Sequence, residues 1–279
     1  MASSPDVELV IEGGPRPPLA RSLRELVAHR DTLLAFAERS QRLKYKQTVL
    51  GLAWSVLQPL TLLTIFVVAL GRLSDVPGGG VPYAAFALSA LVPWTFLSAG
   101  TTYSAQALVN DAALLRKVYF PREVPVIAAQ LTMLVDLGVG LLLYAVLGPI
   151  LGAEPSAAWL LAPLLVVPLF LLGASVSILF AGLNVHYRDF RHALPFLMQL
   201  WLFASPVAYP ITVVPGEWRW VYATLNPAAG ILDSFRRVLA LGELPDPGLL
   251  ALSCAGTVVV ALVAYRVFKG LEPAFADVV

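Results

Sequence analysis

Charged residues are scarce in this chain of 279 residues: only 13% are Asp, Glu, Lys or Arg, whereas 58% are hydrophobic. A soluble domain normally carries about a quarter charged residues, so this composition excludes an ordinary water-soluble protein. The single cysteine, Cys254, excludes an internal disulfide. A formal net charge of +1 gives no bulk attraction for nucleic acid, and we expect no nucleic-acid partner.

Signatures of nucleotide and metal binding are also missing. The dipeptide Gly-Lys does not occur, which excludes the phosphate-binding loop Gly-x-x-x-x-Gly-Lys-Ser/Thr. The three histidines, His29, His186 and His192, form no ligand cluster with cysteine. The sequence therefore predicts no catalytic residue, no metal site and no cofactor in this chain, and thus a protein that is not an enzyme by itself.

Long apolar stretches, in contrast, are abundant. Six of them run over Val49–Leu70, Tyr83–Leu108, Val124–Leu147, Trp159–Leu183, Ala193–Tyr209 and Leu249–Phe268. Most reach the length of about 20 residues that a helix needs to cross a hydrocarbon layer of about 30 Å. Because lipid leaves every backbone polar group to be satisfied within the protein, these stretches predict helices. We expect an all-α polytopic membrane protein with six transmembrane helices.

The cations gather on one side of these stretches. They precede the first (Arg39, Arg42, Lys44, Lys46), separate the second from the third (Arg116, Lys117, Arg122) and the fourth from the fifth (Arg188, Arg191), and end the sixth (Arg266, Lys269). Lys and Arg favour the cytoplasmic side of a membrane. Both termini are therefore predicted to be cytoplasmic.

The remaining segments divide the chain further. Residues 1–21 are predicted to be a disordered cytoplasmic N-terminus, 22–46 an amphipathic helix at the cytoplasmic interface or against a partner protein, 47–270 the six-span domain, and 271–279 a cytoplasmic tail. A break at Asn226-Pro227 predicts two short helices in the outer leaflet before the last span. The inner loop Asn110–Glu123 predicts a short amphipathic helix.

Polar residues recur at helical spacing in two of the spans. Trp54, Gln58 and Thr61 share a stripe in the first, and Trp201, Ser205 and Tyr209 share one in the fifth. Such stripes serve either helix packing or the wall of a path lined by aromatic rings and amides. Asp136 is an acid deep within the third span, which indicates either a hydrogen bond to neighbouring helices or a proton or ion path.

Several segments together resemble one family. They are the runs 42–59 (RLKYKQTVLGLAWSVLQP), 91–96 (LVPWTF), 116–123 (RKVYFPRE), 184–190 (NVHYRDF) and 199–210 (QLWLFASPVAYP), followed by Asn226-Pro227 and Phe235-Arg236. In this collinear order the chain resembles the membrane subunit of type-2 ABC exporters for lipid-linked polysaccharides, the O-antigen and teichoic-acid export group. Ser40-Gln41 departs from the group, in which an acid and a second cation stand before the tyrosine-containing run.

The resemblance implies a bacterial inner-membrane homodimer with two cytoplasmic ATPase subunits, which would bind ATP and Mg²⁺. It implies that Leu114, Arg116, Lys117, Tyr119, Phe120 and Arg122 form the main contact with the ATPase, and that Arg188 and Asp189 belong to a second contact. The cargo would be a polyprenyl-pyrophosphate-linked glycan.

We expect the pyrophosphate of this cargo at a basic inner rim formed by Arg39, Arg42, Lys44 and Lys46. The same cations would be present if they only set the topology. Alternatives to glycan export are a type-2 ABC exporter of a hydrophobic drug or small lipid, an ion-coupled carrier that uses Asp136, and a membrane-embedded glycosyltransferase, for which clustered carboxylates are lacking.

Overall fold

The protein is described here by a computed structural model that covers residues 25, 28–46, 48–69, 80–112 and 120–275. Within these ranges all regular structure is helical and no strand occurs, which confirms the all-α prediction. The predicted disordered segment 1–21 and the end of the predicted tail lie outside the described residues, so these two boundaries stay predictions.

The main helices of the described ranges are numbered here in chain order. They are α1 (Arg30–Tyr45), α2 (Gly51–Ala69), α3 (Tyr83–Ser104), α4 (Val124–Ile150), α5 (Ala162–His186), α6 (Phe190–Ala204), α7 (Gly216–Leu225), α8 (Pro227–Arg236) and α9 (Pro247–Leu271). A short helix, Ala107–Asn110, follows the C-terminal end of α3, and a 3-10 turn, Ala157–Leu161, leads into α5.

Five of these helices, within the part of the chain that is described, are long and apolar enough to cross a membrane: α2, α3, α4, α5 and α9. The protein is therefore a multi-pass membrane protein. The fifth predicted span contains α6, which has 15 residues and ends at Ala204. At about 22 Å this helix is shorter than the hydrocarbon layer. It ends because the residue before a proline avoids the helical conformation, and Ser205, before Pro206, is extended (φ −111°, ψ 152°).

Helix α3 lies at the centre of the bundle. It packs against α2, α4, α5, α6 and α8, and 78% of its most apolar window is buried, compared with 17% for α2 and 22% for α9. Leu88, Leu91 and Leu97 of α3 have no exposed surface. The outer helices α2 and α9 consequently present most of their apolar surface to whatever surrounds a single chain.

A buried polar contact joins three of the spans. The Gln130 side-chain oxygen of α4 accepts hydrogen bonds from the hydroxyls of Ser104 (3.0 Å) in α3 and Ser177 (3.2 Å) in α5. Two glycines provide the room: a Cβ on Gly100 would lie 2.9 Å from the Gln130 amide nitrogen, and one on Gly173 would lie 2.6 Å from it. The amide therefore fixes the relative positions of α3, α4 and α5.

Helix α1 follows the N-terminal half of α4. The rings of Phe36 and Phe120, just before α4, lie 5.0 Å apart between centroids, and near the other end of α1 Lys44 reaches Asp136. Asp136 is 12 residues beyond the start of α4, which corresponds to about 18 Å of helix. Only Ser40 of α1 is buried, so α1 is attached to the bundle largely through polar contacts.

The segment before the last span forms two short helices, as predicted from the break at Asn226. Helix α7 ends at Leu225 and α8 begins at Pro227, where proline fits the first helical turn. All ten residues of α8 are buried. A π-helical turn, Arg237–Leu241, follows and ends at Gly242, whose φ of 68° is in the left-handed region that favours glycine.

Candidate functional site

The predicted ATPase-contact segment lies mostly outside the described residues: Leu114, Arg116, Lys117 and Tyr119 are not described. Its two flanks are described, and both contact α1. Asp111, on the N-terminal side, pairs with Arg39 (2.6 Å), and Phe120, on the C-terminal side, packs on Phe36. Helix α1 is therefore attached to both ends of the segment expected to meet the ATPase.

The C-terminal flank is also fixed to the last span. Glu123, which is 3% exposed, forms an ion pair with Lys269 of α9 (2.7 Å), and Lys269 contacts Glu272 as well (2.8 Å). Arg122 beside it is half-buried. A displacement of this flank would thus reach both α1 and α9.

The second predicted contact, Arg188 and Asp189, forms the exposed turn between α5 and α6. Together with Arg191 and His192, Arg188 borders a surface cavity of about 430 Å³ that Asn110 lines from the other side. The turn is therefore next to the N-terminal flank of the first contact, as two parts of one docking surface would be.

The Asp136 carboxylate joins three elements. It pairs with the Lys44 ammonium of α1, accepts a hydrogen bond from the Tyr45 hydroxyl (2.5 Å), and accepts another from the Ser55 hydroxyl of α2. Burial, followed by the bond to Asp136, raises the pKa of Tyr45 above its ordinary value, so this phenol stays protonated and donates. Asp136 therefore has the hydrogen bonds to neighbouring helices that the first of its two interpretations from the sequence predicted.

The four cations predicted to meet the pyrophosphate face two directions. Arg39, Arg42 and Lys46 border one open groove on α1, whereas Lys44 points into the bundle. Successive residues on a helix turn by about 100°, so positions 39, 42 and 46 share a face and position 44 lies roughly opposite. Arg42 is exposed and pairs with Glu38 (2.5 Å), one turn earlier.

The path-lining residues predicted in the first span lie on one exposed face of α2. Trp54 is 58% exposed, and Gln58 and Thr61 are exposed as well. Their spacing of four and three residues places them one above the other along the helix. In a single chain, this stripe is open to whatever lies beside α2.

The residues predicted in the fifth span behave differently, because they gather around Asn226. The Asn226 side chain accepts from the Trp201 indole N–H (2.8 Å) and donates to Ser205 Oγ (3.0 Å) and the carbonyl of Ala204 (2.9 Å). Ser205 has no exposed surface, so as placed it offers nothing to a substrate.

Tyr209, the third of that group, is half-buried beside the same cluster. Its hydroxyl donates to the carbonyl of Phe203 (3.1 Å) and lies 3.3 Å from the hydroxyl of Tyr222. Of the three residues predicted to line a path here, only the rings of Trp201 and Tyr209 are partly exposed.

Sequence reasoning did not single out Arg236 as a site residue, although a cation within an apolar run is a signal. Its guanidinium is fully buried, donates to the carbonyls of Val207 (2.7 Å) and Tyr209 (3.1 Å), and lies 4.0 Å from the centre of the Phe86 ring. Burial lowers its pKa to about 10, so it stays charged at neutral pH. Burial also raises the pKa of nearby Asp233.

The family model of the ABC-2 type transporter matches residues 32–240. The chain belongs to the ABC-2 type transporter family. The match runs from α1 through the π-helical turn after α8, so it includes both expected ATPase contacts and both short helices. In this ABC-2 chain, residues 1–31 and 241–279 lie outside the match, and the second range includes the last span, α9.

Named relatives align over nearly the whole ABC-2 chain. An O-antigen export system permease protein RfbA of Myxococcus xanthus is 28% identical over 93% of this chain and 99% of its own length. A protein of the same name from Klebsiella pneumoniae is 25% identical over 89% of this chain and 95% of its own. The polysialic acid transport protein KpsM of Escherichia coli is 22% identical over 84% and 92%.

Proposed function

We propose that this chain is the membrane subunit of an ATP-driven exporter, and that it moves a polyprenyl-pyrophosphate-linked cell-envelope polysaccharide, such as O-antigen, teichoic acid or a similar glycan, out of the cytoplasm. The observation that carries the proposal is its end-to-end similarity to permeases named for O-antigen export, which extends over 93% of the chain. The relative named for polysialic acid transport supports the same class of cargo.

Membership of an ABC transporter family implies an ATPase partner, and the missing phosphate-binding loop agrees with a separate one. The proposed complex has two copies of this chain and two ATPase subunits that bind ATP and Mg²⁺. The ATPase contacts residues 114–122 and the turn at Arg188 and Asp189. The positions of Arg188 and Asn110 around one surface cavity support a shared docking surface.

The described contacts suggest how movement at the ATPase would reach the membrane path. Displacement of segment 113–119 acts on α1 through two attachments, Asp111 to Arg39 and Phe120 to Phe36. Helix α1 in turn acts on α2, because Lys44, Tyr45 and Ser55 share the Asp136 carboxylate. Helix α2 is free to respond because little of it is buried in the bundle.

The pyrophosphate of the cargo is proposed to meet the groove formed by Arg39, Arg42 and Lys46. Arginine suits this role because its planar fork makes paired hydrogen bonds with phosphate oxygens. Lys44 has a different role in this proposal, since its side chain is only 19% exposed and faces Asp136, whereas those of Arg39 and Arg42 are 42% and 78% exposed. The three cations of the groove are among those predicted to lie on the cytoplasmic side, where the cargo would arrive.

The glycan is proposed to pass between two copies of the chain, along the stripe of Trp54, Gln58 and Thr61 and past Trp201 and Tyr209. The wide exposed surface of α2 supports a neighbour at this face. Both termini are cytoplasmic in this arrangement, in the bacterial inner membrane. An ion-coupled carrier is less well supported, because its one candidate acid, Asp136, is already engaged by three donors.

The test is to delete the gene in its bacterial host and restore it together with its ATPase. Deletion should remove the surface glycan and leave lipid-linked glycan inside the cell, and restoration should require an ATPase that hydrolyses ATP. Normal surface glycan after deletion would contradict the proposal. The same holds if the purified chain alone hydrolyses ATP or accumulates cargo along an ion gradient.

A further inference from the structure

A cavity lies where α1, α2, α3 and α4 meet, next to the Asp136 contacts. Its volume is about 150 Å³, and a cavity of about 150 Å³ is known to accommodate a six-membered ring the size of benzene. Buried Phe96, Met133 and Leu137 form part of its wall. The cavity therefore holds the ring of one sugar when the ring's substituents extend past exposed Trp54 and Gln58, and it is too small for a folded peptide or an oligosaccharide.

Several other residues of a largely apolar lining carry polar groups. Thr48, Ser55 and Thr95 bring hydroxyls to this region, Gln58 an amide and Trp54 an indole. No hydrogen bond among the described residues involves the Gln58 amide, so its two donors and its acceptor are available. An aromatic face together with hydroxyl and amide groups is the combination that binds a hydroxylated ring, because such a ring has both C–H faces and polar edges.

The charge in the cavity favours a neutral ring. Lys44 and Asp136 both border it, but they are paired with each other, so the cavity has no uncompensated charge with which to attract a phosphate. Lys46 forms no ion pair with any residue that the structure describes, and it borders the groove on the other face of α1. Lys46 and Thr48 are two residues apart, hence at most about 7 Å between their Cα atoms.

We propose that this cavity binds the sugar ring attached directly to the pyrophosphate of the exported lipid. This inference rests on the proposed function. The pyrophosphate lies on the groove of Arg39, Arg42 and Lys46, and the first sugar turns around the end of α1 into the cavity. There the ring stacks on Trp54, and its hydroxyls bond to the Gln58 amide and the lining hydroxyls. The chain thereby recognises the carrier end of the glycan, whatever sugars follow.

The experiment uses the full chain in nanodiscs of phosphatidylethanolamine and phosphatidylglycerol, titrated with free glucose, galactose, N-acetylglucosamine and N-acetylgalactosamine. The readout is the tryptophan emission of wild type minus that of Trp54→Leu. At least one sugar should give a saturable change that Gln58→Leu weakens about tenfold, the effect of losing one strong hydrogen bond. Gln199→Leu, which removes an exposed amide of α6, should bind like wild type.

Two results would overturn the inference: none of the four sugars gives a saturable change, or Gln58→Leu binds as well as wild type. A change caused by a short-chain phospholipid and by no sugar would assign the cavity to lipid and overturn it as well. If Trp54→Leu does not fold, the total tryptophan emission of wild type, Gln58→Leu and Gln199→Leu is titrated instead, and the same difference between the two variants decides. Export in cells is scored separately, so a chain that exports glycan but binds no sugar refutes the cavity assignment alone.

Discussion

Lys44 and Asp136 form an ion pair that joins the helix before the first span to the middle of the third. Their side chains are 19% and 17% exposed, so each charge is largely removed from water and depends on the other. Tyr45 and Ser55 complete the hydrogen bonding of the carboxylate. The pair holds α1 and the start of α2 on the bundle, where few apolar side chains of either helix are buried.

Replacing one partner of this pair should therefore destabilise the protein. We expect Asp136→Ala to cost about 2–3 kcal/mol, because it leaves a mostly buried ammonium without a counter-charge. The double variant Lys44→Met/Asp136→Leu should recover much of that loss, since neither charge remains. Thermal unfolding of the purified complex gives the comparison, with Arg42→Gln at the exposed pair as the control. If Asp136→Asn abolishes transport without changing stability or assembly, the carboxylate has a transport role instead.

The contact between Arg39 and Asp111 allows the attachment of α1 to be separated from phosphate binding. A partly exposed pair is worth about 0.5–1 kcal/mol, which is about two- to fivefold in an equilibrium. We expect Asp111→Asn to lower export per ATP hydrolysed by a factor in that range, and Arg39→Gln to lower it further, because Arg39 also borders the groove proposed for the pyrophosphate. The double variant should be no worse than Arg39→Gln alone. Export and ATPase rates are measured together in proteoliposomes.

The difference in export between Arg39→Gln and Asp111→Asn shows whether Arg39 also contacts the pyrophosphate. Asp111 carries no positive charge, so equal losses from Arg39→Gln and Asp111→Asn would contradict the proposed role of Arg39 on the pyrophosphate. The exposed pair of Arg42 and Glu38 provides the matched comparison. Arg42→Gln removes a cation of the groove, whereas Glu38→Gln removes only the carboxylate that pairs with Arg42.

A methyl group at Gly173 should displace the Gln130 amide. A Cβ there would lie 2.6 Å from the Gln130 amide nitrogen, so Gly173→Ala should cost about 1–3 kcal/mol through overpacking. Gly138 on α4 has nothing within 4 Å of its would-be Cβ, and Gly138→Ala should be neutral or stabilise by up to about 1 kcal/mol. Unfolding midpoints of the two variants measure the difference; equal midpoints would show that the Gln130 contact does not position the three spans.

Arg236 should be among the least replaceable residues of the chain. Arg236→Met leaves two carbonyls without their donor and removes the cation beside buried Asp233, and we expect a loss of about 3 kcal/mol or more. Arg236→Lys should restore only part of it, because one ammonium does not reproduce the planar fork. Arg237→Gln breaks an exposed pair with Glu243 and should cost less than about 1 kcal/mol. Chemical unfolding of the three variants, with protein yield as a second measure, checks the order.

Much of the helical framework could be predicted from the sequence because its causes are local. A run of about 20 apolar residues has to form a helix in lipid whatever its neighbours are, and proline after Asn226 or Ser205 ends a helix by its own geometry. The length of α6 was the exception: hydropathy continued to Tyr209, but the helix ends at Ala204.

The partners of the polar side chains could not be predicted in this way. Arg39, Arg42, Lys44 and Lys46 read as one basic cluster along the chain, yet the turn of α1 directs Lys44 to Asp136 and the others to an open groove. The sequence pattern placed Ser205 on the same stripe as Trp201. In the structure Ser205 is buried and bonded to Asn226, 21 residues later.

The sequence alone determined that this protein is a helical bundle in a membrane, and it predicts that the cations lie mostly on one side and that a separate subunit binds ATP. The tertiary structure decided which polar residues hold the bundle together and which remain open to a ligand. The physical reason is that burying apolar surface depends on composition and length, whereas a hydrogen bond or ion pair depends on the position of two atoms brought together from distant parts of the chain.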